Sequence, residues 1–149
     1  MYGVIEQRLQ QATNSQGQPL FLQFESVLDF SELKGKAIPK QRCGYLVPIS
    51  QKPTVLENDL AGSIHQIQET FGIFIGLQSI NDPKMKKANA LIHNFIGDLR
   101  RELLGLSPEV GYQPITLAGS NLSSIAGNGI WWLERFSTTY YLDSTYEQI

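Results

Sequence analysis

The chain switches between two hydrophobic periods, and each change of period marks an element. From Tyr2 to Thr13 the apolar residues Val4, Ile5, Leu9 and Ala12 recur at helical spacing, with Glu6, Gln7, Gln10 and Gln11 on the wet side; this predicts a first helix. The run Asn14-Ser15-Gln16-Gly17-Gln18-Pro19 stops it, because Gly and Pro extend a helix at a cost. Leu20 to Val27 then alternates and predicts a strand, after which Asp29 or Ser31 can cap a helical turn ending near Gly35. Cys43 to Ile49 predicts a second strand, closed by Pro48. Ser50 to Ser63, which contains Pro53, Asn58, Asp59 and Gly62, follows neither period and predicts a long irregular loop, the best candidate for an arm ordered by a partner.

The strongest strand pattern runs from His65 to Ile80. Ile67, Phe71, Ile73, Ile75 and Leu77 fall on one face, and Gln66, Gln68, Thr70, Gly72, Phe74, Gly76 and Gln78 on the other. Gly72 and Gly76 leave that second face thin, so either the strand bends there or another chain packs close. The strongest helix follows. Asp82 is a suitable N-cap, Pro83 suits the first helical position, and Gly105 is placed to end it. Met85, Ala88, Ile92, Phe95, Ile96, Leu99 and Leu103 form its apolar stripe. Tyr112–Leu122 and Ile130–Leu142 then predict an antiparallel hairpin, with Asn128-Gly129 as the tight-turn signal. Rings occupy both faces of the second strand, so both faces need cover. The order helix, strand, strand, long strand, long helix, hairpin predicts one α+β domain spanning residues 1–149. Its fold would be a single layer of mostly antiparallel or mixed sheet with both helices on one face.

Composition narrows what such a domain can do. Charged residues make up 17% of the 149, below the soluble average of about 25%, and the formal net charge is −2. A slightly acidic balance argues against specific nucleic-acid recognition. The sequence has no apolar run long enough to span a bilayer, and its N-terminus has no charged-then-apolar secretory pattern. Cys43, the single cysteine, excludes an internal disulfide and CxxC redox chemistry, and reads as a buried thiol. Lys34, Lys36, Lys40 and Arg42 read either as a contact for an acidic partner or as a solvated loop.

Catalytic patterns are missing. No GxSxG elbow, P-loop, GxGxxG or HExxH occurs. His65 and His93 lack neighbours at ligand spacing, and the acidic pairs Asp29/Glu32, Glu57/Asp59 and Asp98/Glu102 supply too few oxygens for a metal. No cofactor, metal or catalytic residue is expected. The aromatic content points instead to buried contacts between subunits. Trp131 and Trp132, adjacent on a strand, must point to opposite faces, so one can be core and the other an interface anchor.

Several segments taken together resemble the phage tail terminator family, small ring-forming proteins that close the head-proximal end of a tail tube. They are Val4-Ile5-Glu6-Gln7-Arg8-Leu9, Gly44-Tyr45-Leu46-Val47-Pro48, Glu69-Thr70-Phe71-Gly72-Ile73-Phe74-Ile75, Leu99-Arg100-Arg101-Glu102-Leu103-Leu104-Gly105-Leu106-Ser107-Pro108 and, most specifically, Gly129-Ile130-Trp131-Trp132-Leu133-Glu134-Arg135-Phe136-Ser137-Thr138-Thr139-Tyr140. The resemblance implies a non-enzymatic virion protein, present in the host cytoplasm during assembly. Its partners would be copies of itself in a six-fold ring, the tail tube protein and a head-completion or neck protein, with DNA free to pass through. The expected interface residues are Pro53, Leu56, Glu57 and Asp59 in the 50–63 segment, together with Trp131, Trp132 and Arg135. The rival readings are another neck or minor tail component, and a small α+β ligand-binding domain or enzyme.

Overall fold

A computed structural model describes residues 1–59 and 62–143 of the chain. Its elements in order are α1 (Tyr2–Gln11), β1 (Gln23–Ser26), β2 (Arg42–Asp59), β3 (Gly62–Gln78), α2 (Lys86–Leu103), β4 (Thr116–Ala126) and β5 (Gly129–Leu142). The strands form one sheet in the order β1-β2-β3-β5-β4. β1 is parallel to β2, and every other pairing is antiparallel. The α+β class and the mixed sheet are as the patterning predicts.

Both helices lie on one face of the sheet. Ile5 and Leu9 of α1 and Ala88, Ile92, Phe95, Ile96, Leu99 and Leu103 of α2 join Phe71, Ile73, Ile75 and Leu77 of β3 and Phe136 of β5 in one core. The predicted α2 stripe is therefore the buried stripe. Burial of such side chains is worth about 1.5–3 kcal/mol each, the term that fixes these helices to the sheet. The opposite face holds a second, smaller core of Cys43, Tyr45, Phe74, Trp131 and Leu133, roofed by Val27, Phe30, Leu33 and Ile38. The cover that β5 needs on that face thus comes from the β1–β2 connection of the same chain. Asp29 opens this connection, its Oδ1 accepting the Ser31 N–H at 2.9 Å, and Trp131 Nε1 donates to the Lys36 carbonyl at 2.8 Å.

Gly72 and Gly76 serve that second core. A Cβ on Gly76 would stand 2.8 Å from both Cys43 Sγ and the Trp131 ring, and one on Gly72 would stand 2.8 Å from Leu133 Cδ1. β3 runs against β5 there without a register shift, β2 shifts register beside Gly72 between Pro48 and Ser50, and the space over both glycines is filled by side chains of this chain.

Four sequence expectations need correction. The 50–63 loop is a β-hairpin: β2 continues past Pro48 and Pro53 to Asp59 and pairs with β3 from Gly62. β1 covers only Cys43–Leu46 of β2, so beyond that point β2 is an edge strand, where a missing proline N–H costs nothing. Residues 50–58 are exposed, so no hydrophobic period could have announced them. The strand predicted over Leu20–Val27 is regular only at Gln23–Ser26, because Phe21 and Phe24 turn inward to pack on each other 4.7 Å apart.

α2 begins at Lys86 rather than at Pro83. Asn81 (φ 58°) and Met85 (φ 54°) occupy left-handed backbone, which a helix cannot include. Asp82 still caps it from a distance, its Oδ2 accepting the Ala88 N–H and the Ser79 hydroxyl, each at 2.8 Å. Finally, β4 runs from Thr116 to Ala126 rather than from Tyr112 to Leu122, and the β4–β5 turn is Gly127-Asn128, one residue earlier than predicted. Gly129 already pairs in the sheet, and a Cβ there would lie 2.0 Å from the Leu77 carbonyl oxygen.

Candidate functional site

The surface divides into an arm, a polar node and an open edge. The arm is the outer part of the β2–β3 hairpin. Among the described residues β5 accompanies β3 as far as the pairing of His65 with Leu142, and beyond it residues 55–59 and 62–64 pair as a two-stranded ribbon. Pro53, Leu56 and Glu57 all stand on its β2 strand and are exposed. Asp59 ends that strand, and its side chain lies outside the described residues, as do residues 60 and 61. Val55 is 54% exposed and Leu56 51%, a high value for aliphatic residues side by side. Val55 pairs with His65 and Glu57 with Ile64, which leaves Leu56 opposite nothing: it is a bulge residue, the device by which a strand re-aims a side chain.

The polar node sits where α2 crosses β5. Glu134 is fully buried on the helix face of β5, between the apolar Trp132 and Phe136 of the same face. Arg100 Nε donates to its Oε2 at 3.0 Å and Arg100 Nη2 to its Oε1 at 3.2 Å, while Trp132 Nε1 donates to Oε1 at 2.9 Å and the Ser120 hydroxyl also donates to Oε1. A buried carboxylate needs this many donors to offset its lost hydration. The node orients Trp132, which remains half-buried on the helix face. Trp131, on the other face, is fully enclosed, its ring stacked 4.8 Å from Phe74. Of the two tryptophans, only Trp132 stands where another molecule could reach. Arg135 lies on the second face and donates from Nη1 to Asn121 Oδ1 of β4.

A second buried carboxylate, Glu69, accepts the Tyr2 hydroxyl on Oε1 at 2.5 Å, while its Oε2 has no hydrogen-bond partner among the described residues. Burial first, and then the Glu69 carboxylate, push the Tyr2 phenol well above its ordinary range. The signal that could have revealed both carboxylates is a lone acid at an inward position of an apolar strand, which demands a donor from a neighbouring element. Sequence spacing could not say that Tyr2 and Arg100 are the donors.

The open edge is β4. Leu117, Leu122 and Ile125 are exposed along it, and it carries neither charge nor proline, the usual guards against strand addition. Two register shifts, at Leu117/Gly119 and Leu122/Ser124, twist it instead.

The histidines do not converge. His65 stands at the base of the arm, whereas His93 is on the exposed side of α2 in a polar groove of about 620 Å³ with Arg42, Asp98 and Arg101. Among the described residues no cluster of His, Cys, Asp or Glu could hold a metal ion. Cys43 is fully buried, and burial pushes its thiol up to about 11. No helix among the described residues is long and apolar enough to cross a membrane.

Compared with known proteins, the chain matches the phage tail terminator protein family over residues 5–147. No curated protein sequence matches it.

Proposed function

Since this chain belongs to the phage tail terminator family, a structural component of the phage tail, we propose that it caps the head-proximal end of the tail tube. In this reading it stops tube polymerisation and presents the surface to which the head attaches, acting as a ring of six copies. The observation that carries the reading is the family match, which spans residues 5–147 of 149. The fold supports it. A growing tube extends by head-to-tail contacts and needs a last subunit with one matching and one non-propagating face. Here the projecting arm and the open β4 edge are unlike surfaces on one rigid sheet. Trp132 is the aromatic anchor left accessible, and Pro53, Leu56, Glu57 and Arg135 are the further contacts proposed. The family's structural role argues against a reaction.

Electron microscopy of tails assembled without this protein tests the reading. Overlong tubes lacking heads are expected. Tubes of normal length carrying heads would overturn it. Native mass spectrometry of the purified protein, alone and with tube ends, reads the ring directly.

A further inference from the structure

At the far end of the sheet from the arm, α2 and β4 enclose an apolar cleft. Met85, Ala88 and Ile92 form one wall, and Leu122, Ile125 and Trp132 the other. Its volume of about 90 Å³ suits a single aliphatic side chain rather than a strand or a helix. Three exposed lysines, Lys84, Lys86 and Lys87, interleave with the residues of the first wall. Among the described residues none of them has an ion-pair partner, and Glu57 on the arm has none either. Cleft and arm are therefore complementary: one offers an apolar slot at the lysine-bearing start of α2, the other an exposed bulged Leu56 followed by a carboxylate.

They cannot meet within one chain. Leu122 is level with Trp132 and hence with Ile75 of β3, whereas Val55 is level with His65. That separation is roughly 33 Å along β3, with three strand spacings, about 14 Å, across the sheet.

We propose that Leu56 of one copy seats in the α2–β4 cleft of the next copy, with Glu57 against Lys84, Lys86 and Lys87. The contact joins two different patches of the same chain, so it is heterologous and closes into a ring when the rotation per copy allows it. It rests on the ring reading above and gives that ring its subunit-to-subunit joint. Trp132, held by Glu134 and Ser120, is the part of the second wall against which Leu56 packs.

The test uses the full-length protein with Leu56→Cys and Leu122→Cys together; native Cys43 is buried and does not compete. Under oxidation, the expected product is a covalent ladder of linked copies up to the closed ring. In parallel, Glu57→Lys raises the concentration needed for assembly about tenfold, and Lys86→Glu with Lys87→Glu does the same. Combining the three restores assembly, which a merely structural role for these exposed residues would not do. A ring that forms without the 56–122 cross-link, that is indifferent to Glu57→Lys, or in which residue 56 links to the tube protein instead overturns this contact and leaves the ring standing. A protein that stays monomeric both alone and on tube ends overturns the ring and this contact with it.

Discussion

The two adjacent tryptophans show how far a single position can be read. Their alternation about the sheet follows from strand geometry, but which one is core depends on what covers each face. Trp131 is enclosed by the β1–β2 connection and bonded to the Lys36 carbonyl, so Trp131→Ala is expected to cost about 3–5 kcal/mol. Trp132 is half-buried over the polar node, and Trp132→Ala is expected to cost about 1–2 kcal/mol. Urea unfolding of the two variants checks the order, and equal losses would contradict it. Asp82 makes a different prediction. Burial raises its carboxyl, but the Ala88 N–H, the Ser79 hydroxyl and the N–H groups of Lys87 and Lys86 outweigh that and hold it below the usual carboxylate range. A folded value below the unfolded one gives stability that is fully present above about pH 4 and is lost as pH falls through the folded value. Asp82→Asn should therefore be less stable than the parent at pH 7, with the two urea midpoints converging as the pH is lowered below about 4. Midpoints that stay parallel down to pH 2 would refute the assignment.

At the scale of elements, the sequence was clearest wherever one face is buried. The α2 stripe, the inward face of β3 and the hairpin at the C-terminal end were legible because core contact writes a period of 3.6 or 2 into the chain. The arm was not legible, since residues 50–58 bury nothing and Pro53 interrupts them; its strands form because β3 supplies a template, not because a core demands them. Its role as a candidate contact was nonetheless visible, from the length of the stretch without an inward-facing pattern. This separation of pairing from burial leads to a prediction. Ile67 is the first buried residue of β3 beyond the arm. Excising residues 55–65 and joining Thr54 to Gln66, its pairing partner, through Asn-Gly should leave unfolding stability within about 1 kcal/mol of the parent. Assembly should be lost. Calorimetry and native mass spectrometry on the same sample check both halves, and a large drop in stability would mean that the arm supports the core after all.

For the whole molecule, the two ends of one sheet are the relevant objects: an arm with Leu56 and Glu57 at one end, and an apolar cleft beside the lysine-bearing start of α2 at the other. A rigid sheet holds them at a fixed distance and angle, which is what a repeating contact requires. The resemblance carried by Gly129–Tyr140 and the blocks before it identified the family, and the family match over residues 5–147 bears that out. Hydrophobic periodicity in the sequence determined the α+β class, the order of elements and the face that α2 buries, because these depend on neighbours along the chain. The tertiary structure alone decided that the β1–β2 connection roofs the second face, that Arg100 and Tyr2 are the donors to Glu134 and Glu69, and that the arm and the cleft lie at opposite ends. These are contacts between residues far apart in sequence, and spacing along a chain carries no record of which distant side chain will complete a buried charge or an exposed slot.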